Sequence, residues 1–138
     1  MKPIIYFDFW GTLYDEKGFV FGVKEIILKL AQEKTLIIVS SMRAESIRVI
    51  LKQEGILHCF LHVLGTEVKQ SKSEKMLGLG IDDAFMVTDR VIDIQEALRA
   101  GVKPVGVSWG VDAEESLQHA GALFIFQNPQ ELLELLAK

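Results

Sequence analysis

Short apolar segments that alternate with helical patterns limit how this chain can fold more than any other feature of its sequence. Six segments rich in β-branched or aromatic residues predict strands. They span residues 4–7, 36–39, 60–64, 85–88, 105–108 and 123–126. Between them, apolar residues recur three and four positions apart, as at Val23, Ile26 and Leu30, which is typical of amphipathic helices. We therefore predict an α/β, doubly wound fold, a three-layer arrangement of a parallel sheet with helices on both faces.

Length and charge narrow the class of protein further. The chain has 138 residues, enough for a single domain over residues 1–138, and its net charge of -4 provides no basic patch for nucleic acid. The N-terminal apolar run, residues 4–7, is shorter than a signal peptide or a membrane helix requires. Cys59 is the only cysteine, which suits a reducing compartment. We expect a cytoplasmic protein that binds neither nucleic acid nor membrane.

Polar residues follow three of the predicted strands. Asp8 follows the first strand, Ser40 and Ser41 follow the second, and Asp89 follows the fourth, with Asp93 one helical turn later. Ligands of parallel sheets bind beyond the carboxyl ends of the strands, near the point where the strand order reverses. We expect these side chains to face one site.

Three pairs of residues have the spacing of a helix-capping box. They are Ser71 with Glu74, Asp112 with Glu115, and Asn128 with Glu131, where Pro129 follows the cap. The first pair places Lys72 at the start of a helix, where the helix dipole disfavours a cation by up to about 1 kcal/mol. A charge in an unfavourable position favours a functional role for Lys72.

In this order, the residues resemble the motifs of the haloacid dehalogenase superfamily, whose core is a Rossmann-like sheet. The family's first motif, usually DxDGT with an aspartate nucleophile, corresponds to DFWGTL beginning at Asp8. The second motif, a serine or threonine that closes an apolar strand, corresponds to Ser40 after LIIV. The third, a lysine, is matched best by Lys72, with Lys69 as the alternative.

The fourth motif, an acidic pair at a strand end, is similar to VTDRVIDIQEA with Asp89 and Asp93, the most specific stretch of the resemblance. The intervals from Asp8 to Ser40 and from Ser40 to Lys72 are both too short for an added domain. The resemblance therefore implies a member of the superfamily without a cap domain, whose open site suits a large substrate or a neighbouring subunit acting as a lid.

The resemblance implies a Mg²⁺-dependent phosphatase in which Asp8 attacks phosphorus. A dianionic phosphate repels a carboxylate, and a cation held by hard oxygen ligands removes that repulsion. The implied ligands are the carboxylates of Asp8, Asp89 and Asp93 and the backbone carbonyl of Trp10.

Phosphate would be bound around the same loop. Ser40 and Lys72, which with Asp8 form the implied catalytic set, would hold the phosphoryl oxygens. Phe9, Trp10 and Ser41 are the other predicted phosphate-binding residues. The expected partner is a phosphorylated small molecule or a phosphorylated macromolecule, bound by a monomer or a homo-oligomer.

Trp10 departs from the family pattern, which places a second aspartate two residues after the nucleophile. That aspartate protonates the leaving group, whereas an indole has no proton to exchange in the useful pH range. General acid catalysis is worth about 100 to 10,000-fold, so we expect weak or leaving-group-selective activity. Two alternatives stay open: a noncatalytic phospholigand-binding or scaffold protein, and a carbon-halogen hydrolase, since dehalogenases also carry an aromatic residue here.

Overall fold

The computed structural model describes residues 2–138, which form a six-stranded sheet and a separate two-stranded hairpin. In chain order the elements are β1 (Ile4–Phe7), β2 (Tyr14–Asp15), β3 (Gly18–Phe19), α1 (Val23–Glu33), β4 (Thr35–Val39), α2 (Ala44–Gln53), a 3-10 turn (Leu57–Cys59), β5 (Phe60–Leu64), α3 (Lys72–Leu79), β6 (Phe85–Thr88), α4 (Val91–Ala100), β7 (Lys103–Val107), α5 (Glu114–Ala120), β8 (Phe124–Phe126) and a 3-10 helix (Pro129–Ala137). All six predicted strands are confirmed. β7 begins two residues earlier than predicted because Lys103 already pairs with Phe85 of β6.

The strand order is β5-β4-β1-β6-β7-β8, and every pairing in this sheet is parallel. The chain runs outward from β1 to β4 and β5, then returns across β1 to β6, so the order reverses at β1. Phe7 at the end of β1 is level with Ile38 of β4 and Val87 of β6. The residues that follow β1, β4 and β6 therefore leave the sheet at one edge, where such folds bind ligands.

Helices cover both faces of the sheet, as predicted. Successive residues of a strand point to opposite faces. Ile5 and Phe7 of β1 pack in a cluster with residues of α1, α2 and the C-terminal 3-10 helix. Ile4 and Tyr6 pack in a second cluster with residues of α3 and α4. The three-layer α/β architecture is confirmed.

Between β1 and α1 the chain forms only the β2–β3 hairpin, and β4 is separated from α2 by residues 40–43. Residues 2–138 thus contain no cap domain over the carboxyl edge of the sheet. Across the same residues, no helix combines the length and the apolar character needed to cross a lipid bilayer.

The predicted capping boxes had different outcomes. Ser71 with Glu74 at the start of α3, and Asn128 with Glu131 at the start of the C-terminal 3-10 helix, form reciprocal pairs, as predicted. The prediction for Asp112 was wrong, because the N-cap of α5 is Ala113. The Asp112 carboxylate instead accepts a hydrogen bond from the N–H of Val91 at 2.7 Å, at the start of α4. The first N–H groups of a helix have no partner within that helix. Asp112 therefore caps the Val91 N–H of α4, not an N–H of α5 as the sequence had predicted.

Candidate active site

A cavity of about 310 Å³ lies at the carboxyl edge of the sheet, beside β1. Asp8 lies on its wall as the first residue after β1, with only 6% of its surface exposed and its N–H bonded to the carbonyl of Val87 at 3.0 Å. The structure brings six of the predicted site residues to this cavity: Asp8, Trp10, Ser40, Ser41, Lys72 and Asp93.

Lys72 supplies the buried cation of the site. Its Nζ lies 3.2 Å from Oδ1 of Asp8 and 2.8 Å from Oδ1 of Asp93, and its side chain is 11% exposed. Burial alone would lower the pKa of Lys72, but the two carboxylates outweigh it and leave that pKa raised. Lys69, the alternative lysine, is exposed and makes no ion pair with any residue in the described range. Because the Ser71 cap starts α3 at Lys72, the helix start places this ammonium over Asp8.

Asp89 is fully buried, and the protein holds both of its oxygens. The Thr12 hydroxyl donates to Oδ1 at 2.9 Å, and the N–H of Val111 donates to Oδ2 at 2.8 Å. A Cβ added to Gly11 or Gly110 would overlap the Asp89 side chain, and Gly11 also has a positive φ of 85°. Both positions therefore require glycine for Asp89 to fit. Sequence reasoning missed Thr12, although its place in the DFWGTL segment could have indicated it.

Asp93, in the first turn of α4, orients Lys72. One oxygen accepts a hydrogen bond from the Thr88 hydroxyl at 2.7 Å, and the other faces Lys72. Thr88 also went unpredicted as a site residue, since its sequence position indicated only the end of a strand. A hydroxyl next to Asp89 was the available clue.

The buried charges of the site do not balance. Asp8, Asp89 and Asp93 are all buried, and the ammonium of Lys72 is the cation that pairs with two of them. Burial raises the pKa of Asp8 to about 7, against the opposing effect of Lys72 and with further increases from Asp93 and Asp89. A site with excess negative charge and carboxylate oxygens fits a hard divalent cation.

The prediction that Asp8, Asp89 and Asp93 serve a metal ion, directly or through water, stays a prediction. Within residues 2–138, no three acidic, imidazole or thiol side chains converge as ligands of one ion. The physical reason is that the ammonium of Lys72 already lies between Asp8 and Asp93, 3.2 and 2.8 Å from their oxygens. Mg²⁺ commonly takes one or two carboxylates and keeps several waters, so Asp8, Asp89 and the carbonyl of Trp10 still suit it.

Ser40 and Ser41 occupy different depths of the cavity. Ser40 is buried, and its Oγ accepts a hydrogen bond from the N–H of Met42 at 3.1 Å, which leaves the hydroxyl proton available to donate. Ser41 is exposed. Arg90, which also lines the cavity and lies 3.8 Å from Asp112, had been assigned no role. Its position directly after Asp89 could have indicated one.

Phe9 and Trp10 point in different directions. Phe9 is fully buried and stacks on Tyr14 with ring centroids 5.3 Å apart, so its side chain does not line the predicted phosphate site. The Phe9 backbone acts on the neighbouring Asp8 carboxyl, whose pKa it lowers. Trp10 is 42% exposed on the cavity wall and meets the Tyr14 ring edge-on at 6.1 Å. Within the described cavity, Trp10 stands where the resemblance places an acid.

Residues 18–107 match the haloacid dehalogenase-like hydrolase family, and the chain belongs to that family of hydrolases. The matched residues include Ser40, Lys72, Asp89 and Asp93, whereas the DFWGTL segment precedes them.

Individual relatives agree with this membership. The chain is 28% identical over 125 residues to a phosphoglycolate phosphatase of Vibrio parahaemolyticus, an alignment that covers 83% of this chain and 55% of that protein. The chain thus spans about half the length of this relative. Among solved structures, a haloacid dehalogenase-like family hydrolase from Streptococcus pneumoniae superposes with a TM-score of 0.85 at 15% identity, covering 96% of this chain and 97% of the other. A predicted phosphoglycolate phosphatase from Haemophilus somnus 129pt has a TM-score of 0.76 at 25% identity, covering 85% and 56%.

Proposed function

We propose that this protein is a Mg²⁺-dependent phosphatase that hydrolyses phosphate monoesters or acyl phosphates through an aspartyl phosphate on Asp8. The observation that carries the proposal is the buried Asp8 carboxylate on a cavity wall, 3.2 Å from the ammonium of Lys72. A nucleophile and a cation at that separation can engage the phosphorus and the oxygens of one phosphoryl group.

In the first step, an oxygen of Asp8 forms a bond to phosphorus while the bond from phosphorus to the leaving oxygen breaks. The leaving group departs with the electron pair and takes a proton from water. Lys72 and the hydroxyl of Ser40 donate hydrogen bonds to the phosphoryl oxygens, on which negative charge is concentrated. Water then attacks the phosphorus of the aspartyl phosphate, releasing inorganic phosphate and the Asp8 carboxylate.

Asp8, Asp89 and the carbonyl of Trp10 would hold Mg²⁺. The ion supplies positive charge that offsets the repulsion between the carboxylate and the phosphate. Asp93 holds Lys72 in place through its 2.8 Å ion pair.

Substrate selectivity follows from Trp10. No side chain two residues after Asp8 can protonate a leaving alkoxide, so acyl and aryl phosphates, whose leaving groups need no proton, are the favoured chemistry. Similarity to a phosphoglycolate phosphatase supports a small phosphorylated molecule over a phosphorylated macromolecule. We place this activity in the cytoplasm, in keeping with the single Cys59.

The test uses the purified protein with acetyl phosphate and an aryl phosphate, in Mg²⁺ and in chelator. We expect turnover that requires Mg²⁺ and that Asp8→Asn removes, while Asp82→Asn, at an exposed position in the loop before β6, retains it. A rate that survives both the chelator and Asp8→Asn contradicts the proposal.

A second candidate is a noncatalytic phospholigand-binding protein on the same fold, and Trp10 favours it because the general acid is missing. This function predicts that phosphate binds in Mg²⁺ without turnover at any pH. Release of halide from a haloalkanoic acid, insensitive to chelator, would instead indicate carbon-halogen hydrolysis.

A further inference from the structure

A second cavity, of about 500 Å³, adjoins the active-site cavity. The two cavities share Ser40, Ser41 and Lys72 as wall residues. The remaining wall comes from the segment between β5 and α3 and from the first turn of α3. A molecule whose phosphoryl group contacts Lys72 can therefore extend into the second cavity.

Lys75 lines this second cavity and is only 6% exposed. Its Nζ donates to the carbonyl of Gly65 at 3.0 Å, its one hydrogen-bond acceptor in the described part of the chain. An ammonium carries three donors, so two of them are left for a ligand or water. Burial lowers the pKa of Lys75, and the nearby charge of Lys72 lowers it further, against the opposing effect of Glu67. This lysine lacks a full counter-charge.

The carboxylates near Lys75 are already engaged. Glu67 accepts hydrogen bonds from the N–H groups of Ala44 and Glu45, at 2.8 and 3.5 Å. Glu74, which lines the cavity, accepts from the N–H of Ser71 at 2.9 Å.

Lys69 adds a second cation to the same wall. It is exposed, and its ammonium makes no ion pair within residues 2–138. Together, Lys69 and Lys75 give the cavity a positive character beyond that of the phosphoryl site, because Lys72 is already neutralised by Asp8 and Asp93.

We infer that the second cavity binds an additional anionic group of the substrate, a carboxylate or a second phosphate, through Lys75 and Lys69. The inference rests on the proposed phosphatase function and names its substrate class: small phosphate esters that carry a second anion. A ligand of this class replaces the missing acceptors of Lys75 and spans both cavities.

The test measures binding by calorimetry in Mg²⁺, in an Asp8→Asn background that does not consume the ligand. One pair of probes is 2-phosphoglycolate and ethylene glycol monophosphate, and the other is propane-1,3-diol bisphosphate and its monophosphate. In at least one pair, we expect the two-anion ligand to bind at least about tenfold more tightly, because hydrogen bonds between charged groups are stronger than those between neutral groups. The pair with the larger ratio identifies the second group as carboxylate or phosphate.

Added to this background, Lys69→Gln should lower that affinity ratio at least about threefold, and Lys75→Gln should lower it further, because Lys75 is the more buried of the two. Lys75→Arg keeps the charge and should retain most of the ratio. Lys29→Gln, an exposed change on α1, is the matched control and should leave the ratio unchanged.

Equal affinities within both pairs overturn the inference, as does a ratio unaffected by Lys69→Gln. If Lys75→Gln fails to fold, the Lys69→Gln ratio decides alone. A ratio that depends on Lys69 in a protein with no turnover supports this site while the proposed hydrolysis fails. Turnover together with an affinity ratio near one supports the proposed hydrolysis and overturns this second anion site.

Discussion

Asp8 and Asp89 follow neighbouring strands and are both buried, yet the protein holds their carboxylates in different ways. Asp89 accepts hydrogen bonds from the Thr12 hydroxyl and the Val111 N–H, one on each oxygen. Asp8 has the ammonium of Lys72 as its side-chain partner, at 3.2 Å, and its pKa is raised to about 7. One carboxylate is fixed in place, and the other is left incompletely neutralised.

In the proposed reaction, this difference separates a positioning group, Asp89, from the reacting group, Asp8. A carboxylate with one hydrogen bond on each oxygen keeps its orientation, and each oxygen retains a lone pair that can face a cation. A carboxylate destabilised by burial and by like charges gains more from a ligand that supplies positive charge. Asp8 is therefore the group whose charge the substrate and a cation can stabilise, and Asp89 is part of the frame.

The largest effect should come from removing the cation on which Asp8 depends. We expect Lys72→Met to lower kcat for an aryl phosphate by about 1,000-fold, since a preorganised donor to developing charge is worth about this much. Stability should also fall, by roughly 3–5 kcal/mol, because breaking a buried ion pair leaves carboxylates unpaired. Turnover assays and chemical denaturation measure the two effects.

The comparison variant is Lys69→Met, which removes the alternative lysine of the family motif. Lys69 is exposed and does not contact Asp8, so its loss should lower kcat by less than about tenfold. If Lys69→Met proved more damaging than Lys72→Met, the assignment of Lys72 to the phosphoryl group would be wrong.

The next prediction tests Asp89, the carboxylate that the protein fixes in place. Gly110→Ala places a Cβ where the Asp89 side chain lies, so Asp89 must move. We expect kcat/KM for an aryl phosphate to fall by about 100-fold, as a displacement near 1 Å at a positioned group can cost this much.

Gly78→Ala is the matched control, because a Cβ at Gly78 meets nothing within 4 Å. This change should leave kcat/KM unaltered and stabilise α3 by roughly 0.5–1 kcal/mol, since alanine is the better helix former. Unchanged kinetics in Gly110→Ala would show that the exact position of Asp89 does not limit the reaction.

The meeting of the residues that follow the strands could be predicted, because it depends only on local sequence patterns. Asp8, Ser40 and Asp89 each follow an apolar run, and parallel strands end at one edge, so their meeting follows from the alternation of elements. The start of α3 at Lys72 was equally local, since the Ser71 cap is formed within four residues.

The orientation of Asp93 was not predictable, because it depends on contacts between distant segments. Its spacing from Asp89 places it near the site, but Lys72 and Thr88 determine which groups its oxygens face. Lys75 illustrates the same point. A lysine in a capped helix predicts a solvated side chain, whereas here the carbonyl of Gly65, from the end of β5, holds it inside.

A third effect concerns stability, and its sign follows from the pKa of Asp8. That pKa rises from an ordinary 3.8 to about 7 in the folded protein, so ionised Asp8 disfavours folding. The favourable contribution of the protonated acid is complete below about pH 4 and is lost as the pH rises toward 7. Without metal, Asp8→Asn should therefore stabilise the protein by about 2 kcal/mol at pH 8, or several degrees in Tm, and not at pH 4.

Thermal melts in chelator at pH 4 and pH 8 measure this gain. The upper bound is about 4 kcal/mol, and the lost charge of Asp8 beside Lys72 offsets part of it. Asp82→Asn, exposed and far from the site, should show no difference between the two pH values. A destabilised Asp8→Asn at pH 8 would mean that the ion pair with Lys72 outweighs the burial of Asp8.

The smallest expected effect concerns the surroundings of Asp8, where Trp10 stands in place of a general acid. Trp10→Asp puts a carboxyl group on the cavity wall two residues after Asp8, at a side chain already 42% exposed. We expect the hydrolysis of alkyl phosphates to rise at least about tenfold, with a smaller gain for aryl phosphates, because general acid catalysis benefits poor leaving groups most. Trp10→Asn has the same shape without the proton, so an equal gain in that variant would attribute the effect to lost bulk. A gain confined to Trp10→Asp, with a rate that declines as the new acid ionises, would show that Asp8 and its cation were complete and that only the proton was missing.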